Sequence, residues 1–333
     1  MFPTWIGITL IVFMIVRFAP GRPGSESFEA GYLSADGQAA SLSYYQRKLG
    51  LDQPLYKQYF SWWRSLFSTE IVASEEHQTR TFEFTLGYSL TSRSSVVSEL
   101  KRRLPITLLI STLSIILIYI IAIPTGLLMA VTRGRRFDIG SNTLLLALWS
   151  VPIVLVATLL IGYTTTGSLG VQWFPNNGLS SIGAERLPFF AWLADRAWHL
   201  ILPVVCISLG GFAYLAKQTR ASVLENLSMD YVRTAKAKGV SGINIIKHHV
   251  FRNSLLPLIT IFATLLPFML AGSVIVEKIF NIEGMGLFTF RAVMNRDYDV
   301  VQAMALIAGV LNSFGLLVAD IAYAAADPRI KYR

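Results

Sequence analysis

The side chains able to do covalent or metal chemistry in this 333-residue chain are few and poorly spaced. Of the four histidines, His77, His199, His248 and His249, none has the spacing of a metal pair, and no HExxH occurs. His248 and His249 are adjacent, so on a helix they point to different faces and read as solvated basic surface. Cys206 is the single cysteine and lies in an apolar run, which excludes an internal disulfide and any cysteine-based metal site. A small core residue is its expected role. No Ser-His-Asp set can be assembled. A phosphate-cradling GxxxxGK[ST] loop is missing, and Gly284-Met285-Gly286 lacks the strand and third glycine of a dinucleotide site. It reads instead as a tight turn outside the membrane. The expectation is a non-enzyme with no catalytic, cofactor-binding or metal site.

One stretch, Tyr231 to Pro257 (YVRTAKAKGVSGINIIKHHVFRNSLLP), has a different kind of pattern. Its first part predicts a short helix, Val232 to Lys238, with Val232, Ala235 and Gly239 on one face at helical spacing. Gly239, Gly242 and Asn244 break the pattern, because glycine frees the backbone for a turn. A small-residue face lets another protein approach the backbone closely, while Arg233, Lys236 and Lys238 keep the segment in water. The plain alternative is an ordinary basic cytoplasmic loop.

The elements that must position this stretch are membrane spans. Hydrophobic residues make up 53% of the chain, and the mean hydropathy is +0.52. Several apolar runs approach the roughly 20 residues needed to cross a bilayer. An all-α polytopic bundle follows, since each helix satisfies its own backbone in lipid. The formal charge of +9 gathers beside the apolar runs, which argues for membrane orientation and against nucleic acid. Six spans are expected: Phe2 to Phe18, Pro105 to Val131, Leu144 to Tyr163, His199 to Lys217, Leu255 to Val276 and Val301 to Tyr323. Pro124 and Gly126 are candidate kink points in the second. Residues 1–20 thus form the first transmembrane helix, and 21–103 a large external region. Residues 104–333 form a core of five more helices with a cytoplasmic loop at 220–254. Within the external region, residues 49 to 67 predict an amphipathic helix after Pro54, with Leu55, Tyr59, Trp62 and Trp63 on its apolar side. Arg133, Arg135, Arg136, the basic loop and Arg329, Lys331 and Arg333 share one side if both termini are cytoplasmic. Lys101, Arg102 and Arg103 are the exception, at the end of a loop long enough to weaken that rule.

RTAKAKG followed by a spacer and LLP resembles the "EAA" signature of ABC-importer permeases. Ala235 and Gly239 match it, while Arg233 and Thr234 stand where the name-giving Glu and Ala would be. The likeness continues in LDQPLYKQYFSWW, in LGYSLTSRSSVVSELKRRLPITL, in SVP, in VEKIFNIEGMGLFTFRAVMNRDYDVVQA and in the closing DPRI. Phe84-Thr85 replace a usual Gly-Asp pair, and Glu283 and Asp299 replace two usual prolines. Thr69 to Thr81 resembles a variable insertion. Members usually begin with a further short stretch carrying an Arg pair, which is not seen here. The resemblance is to the oligopeptide, dipeptide and nickel branch (OppB/DppB-like), and GGFAYLAKQTRASVLE leans toward its YejB-like members.

That resemblance implies a type I importer permease in the bacterial plasma (inner) membrane, forming half of a path for peptides or a related small solute. It implies a second permease subunit, two ATP-binding cassette ATPase subunits, an external solute-binding protein and membrane lipid as partners. The coupling helix would be Val232, Arg233, Thr234, Ala235, Lys236, Ala237, Lys238 and Gly239, with Ala235 packed against the ATPase. The solute-binding protein would dock on Gly21 to Arg103 and Asn281 to Val300. Polar residues inside spans are candidates for the path: Ser111, Thr125, Ser150, Ser208 and Asn312. For each of these, helix packing is the competing role. Asp320 reads as a structural partner for a cytoplasmic base. The rival function is a self-contained channel or ion-coupled secondary transporter, which predicts inverted repeats and deep charged pairs. Neither pattern is present in the sequence.

Overall fold

The computed structural model describes residues 2–18, 52–66, 70–74, 77–81, 85–89, 91–92, 94–164, 173–175 and 177–326. Expectations for 19–51 and for the closing DPRI lie outside these. All six predicted apolar runs are helical: α1 (Phe2–Phe18), α3 (Val96–Val131), the pair α4 (Arg136–Ser150) and α5 (Ile153–Thr164), α6 (Phe189–Leu227), α8 (Arg252–Ala271) and α11 (Tyr298–Ala326). Between them lie α2 (Leu55–Ser65), α7 (Asp230–Ala237), α9 (Val274–Ile279) and α10 (Met285–Met294). Among the described residues the all-α class holds apart from one antiparallel hairpin, β1 (Glu70–Ser74) with β2 (His77–Thr81), which occupies the predicted insertion.

Among the described residues, three helices are individually long and apolar enough to cross a bilayer: Val96–Val131, Phe189–Leu227 and Tyr298–Val318. The third predicted span departs from expectation. It is broken between Ser150 and Ile153, and its halves meet at 91°. Pro152 is the cause: it pushes the preceding residue out of the α region, and Val151 has ψ 124°. The fifth span is also shorter than expected. It ends at Ala271, where Gly272 turns the chain at φ +73°, and Val276 belongs to the separate helix α9.

The chain divides into two compact units. One comprises Met1–Ile106 with Gly284–Ser313. Its core packs Trp62 and Leu66 with Leu86, Val96, Met285 and Phe288. Trp62 is buried as expected of the α2 apolar side, but Leu55 is exposed and Leu66 takes its place. Arg103 lies over the Phe288 ring at 4.9 Å, and its Nε donates to Glu99 at 2.8 Å.

The second unit is Thr107–Glu283 with Phe314–Arg333. Its core pairs α3 with α6 through Ile118, Ala122, Met129, Phe212, Leu215 and Ala216. The two helices run in the same direction. Midway along both, the Ser208 hydroxyl donates to Ser114 O at 3.2 Å. Further along, Gly126 sits against Ala216 and Thr219. Gly126 does not break α3, which continues through Pro124 and Gly126. A Cβ at Gly126 would come within 2.7 Å of Thr219 Cβ, so the missing side chain is what allows the helices to touch.

Candidate coupling site and solute path

Helix α7 overlaps the expected Val232 to Lys238, starting two residues earlier at Asp230 and ending one residue short at Ala237, with Met229 extended ahead of it. Gly239 closes it at φ +77° with nothing within 4 Å of a notional Cβ, so backbone freedom and not crowding selects glycine here. Eight residues in isolation make a marginal helix, so packing must hold it. Val232 is fully buried and Ala235 is 7% exposed, both in a cluster with Ala130, Val223, Ile245 and Val250. Val232 and Ala235 therefore meet this chain's own helices, which corrects the expectation that Ala235 packs against a partner, while Gly239, expected on the same face, is exposed. Arg233, Thr234, Lys236, Ala237, Lys238 and Gly239 form the exposed side.

A segment of unusual winding adjoins it. After Gly242–Asn244 the chain makes a π-helix over Ile245–Phe251 before continuing as α8. Ile245 and Val250 pin the π segment under α7, while His248 and His249 are exposed. Such segments are uncommon and cluster at functional positions.

Beside this site lies an ion pair that the sequence did not announce. Arg220 on α6 donates Nε and Nη2 to the two carboxylate oxygens of Asp138 at 2.7 and 2.8 Å. Gly134 N also donates to Asp138 at 2.9 Å, tying the basic loop Thr132 to Asp138 to the same pair. Planar two-point pairing of this kind fixes geometry as well as charge. The only sequence signal was local, an aspartate in the first turn of a helix after a glycine turn.

The candidate path residues are in varied settings. Ser208 is fully buried, donating to Val204 O at 2.7 Å as well as to Ser114 O. Ser111 is half-buried and donates to Met269 O at 3.1 Å. Thr125 is half-buried and Ser150 exposed, and both are bonded back to their own helices, at Ile121 O and Ala147 O. Asn312 is exposed, as is Asp320. The structure brings Ser111, Ser114 and Ser208 into helix contacts and does not gather Thr125 and Ser150 with them.

Two segments that the resemblance assigned to binding-protein docking fold together within the first unit. Ser89 donates its hydroxyl to Asp297 at 2.6 Å, and Thr91 N donates to the same oxygen at 3.2 Å. Asp299, which stands where a proline is usual, accepts from Tyr88 N at 3.3 Å. Gly87 at φ +89° lies against Asp299, where a Cβ would come to 3.1 Å of its own Cβ. Gly284-Met285-Gly286 is not a free turn: it starts α10, with Met285 buried. Arg17 at the end of α1 lies between the rings of Phe13 and Tyr298, 5.3 and 5.1 Å away.

Long apolar helices, a basic loop and a short helix docked beneath them define a multi-pass helical membrane protein. The family model described as "Binding-protein-dependent transport system inner membrane component" matches residues 122–332, and its N-terminal companion matches 4–111. The chain belongs to this family of transport permeases. It is 35% identical over 331 residues to the oligopeptide transport system permease protein AppB of Bacillus subtilis, covering 99% of this chain and 96% of the relative. It is 32% identical to the inner membrane ABC transporter permease protein YejB of Escherichia coli O157:H7, with the same coverage of each. The di/tripeptide transport system permease protein DppB of Pseudomonas aeruginosa is likewise 32% identical, again at 99% and 96% coverage. Among solved structures, an inward-facing MetNI methionine ABC transporter chain matches with TM-score 0.53 at 16% identity. The match covers 69% of this chain and 97% of that one, and it shows a shared fold.

Proposed function

We propose that this chain is one permease half of an ATP-driven importer for peptides or a related small solute. Two ATP-binding cassette ATPases would act from the cytoplasm and a solute-binding protein from outside. Both termini and the loop Thr132 to Asp138 would then be cytoplasmic. The observation that carries the assignment is α7, an eight-residue basic helix seated by Val232 and Ala235 with a polar side left open. A helix too short to hold itself, pinned to the spans and exposed on its far face, suits the transmission of force from a soluble partner. Peptide as the cargo class rests on the AppB, YejB and DppB likenesses.

The test is reconstitution of the chain with its second permease, ATPases and solute-binding protein in vesicles, with labelled peptide uptake as the readout. Uptake should require ATP on the ATPase side and the binding protein on the other. The purified chain alone should neither bind nor hydrolyse ATP. Peptide flux through the chain by itself, driven by an ion gradient, would replace this reading with a secondary transporter.

A further inference from the structure

On the second unit, α3 and α6 leave an open apolar groove of about 490 Å³. Its walls are Leu109, Leu113, Ile116 and Ile120 from α3, with Ala197 and Ile201 from α6. The single charged lining residue is Arg196. From Leu109 to Ile120 the groove follows α3 for roughly 16 Å, about half of a ~30 Å hydrocarbon core and so the depth of one leaflet.

Its position along the bundle is set by the parallel run of α3 and α6. Arg196 precedes Val223, which packs on α7, by roughly 40 Å of helix, more than a hydrocarbon thickness. Arg196 thus lies at the membrane surface opposite α7. Beyond it, about 10 Å further toward the helix start, Phe189 is 65% and Phe190 82% exposed. Arg196 stacks over Trp192 at 5.1 Å, and its Nε is buried without a hydrogen-bond partner. The neighbouring Asp195 carboxylate is taken by Ser181, whose backbone N and hydroxyl donate to it at 2.9 and 2.6 Å.

We infer that this groove is a binding site for one acyl chain of an anionic phospholipid, with the lipid phosphate on Arg196. A one-leaflet apolar trough with a cation at its polar end matches the two parts of such a lipid. A transmembrane helix from another subunit would cover the trough but leave the Arg196 guanidinium without an anion, at a desolvation cost. The long stem of Arg196 lies along the apolar wall while its head reaches the interface.

The complete importer complex, exchanged into nanodiscs, tests this with a photoactivatable phosphatidylglycerol carrying the reactive group in its acyl chain. Adducts should map to 109–120 and 193–204, and be competed by phosphatidylglycerol better than by phosphatidylcholine. Arg196→Gln should lower that preference about fivefold, the scale of one cation–headgroup attraction, and Arg196→Lys should retain it. Ala197→Phe, which fills the groove from an exposed position, should lower labelling there while leaving adducts elsewhere on the spans. Equal labelling by both lipids, or adducts spread evenly over all spans, would mean ordinary boundary lipid and would overturn the site. So would disulfide capture of Leu113→Cys by another subunit, which would make the groove a protein interface.

Discussion

Replacing Ala235 by glutamate separates an internal contact from an external one. Ala235 is 7% exposed and faces Ala130, Val223, Ile245 and Val250, all apolar. A carboxylate placed there, uncompensated, costs on the order of several kcal/mol. The main anchor of α7 is Val232, and burying one such side chain contributes only about 1.5–3 kcal/mol. The penalty exceeds the anchorage, so α7 should leave its seat while the spans stay folded. Hydrogen exchange read by mass spectrometry is the direct assay. Amides of 230–240 should lose protection in Ala235→Glu, those of α3 and α6 should not, and uptake should fall to background. Lys236→Glu is the comparison: it changes the exposed side, so protection of 230–240 should persist while ATPase attachment weakens. Unchanged protection in Ala235→Glu, together with lost ATPase attachment, would refute the internal seat and return Ala235 to a partner's surface.

Gly126→Val should destabilise the α3–α6 contact by about 1–3 kcal/mol through overpacking, read as a lowered Tm of the complex in detergent. Gly140→Ala, with nothing within 4 Å, should be neutral or mildly stabilising in the same assay. Asp138→Ala should cost about 1.5–3 kcal/mol by removing the paired bonds from Arg220, and a Tm equal to that of the parent would show the pair to be idle. Ser92→Cys, at an exposed position, should react with an impermeant maleimide added outside intact cells, and Arg135→Cys only after permeabilisation. Cys206 is 1% exposed and gives little background; the reverse labelling pattern would invert the topology.

Where the sequence carried the fold, it did so through length and apolarity, which are local. The six runs became helices because lipid leaves the backbone no other way to satisfy itself. Pro152 was visible in the third run, but a run's composition does not say whether a proline bends a helix or splits it; here it splits one by 91°. Gly126 is a similar case, with the same residue type serving a bend or a close crossing, and only Ala216 and Thr219 opposite it decide. Periodicity correctly put Val232 and Ala235 on one side of α7, but it cannot say what that side meets. The Asp138–Arg220 pair joins positions 82 apart, beyond the reach of any local pattern. Asp297 and Asp299 belonged to a segment legible by its likeness to relatives, yet their bonds to Ser89, Thr91 and Tyr88 depended on the folded unit.

The unbroken length of α6 has a mechanical meaning. It meets α3 closely at Ala216 and Thr219, where Gly126 removes the intervening side chain. From Thr219 to Leu227 the helix extends roughly 12 Å, and from Thr219 back to Phe189 roughly 45 Å. With that crossing as fulcrum the arms are unequal by nearly fourfold. Under the coupling proposed above, in which α7 drives α6 about that crossing, about 2 Å at the short arm would become about 8 Å at the far end.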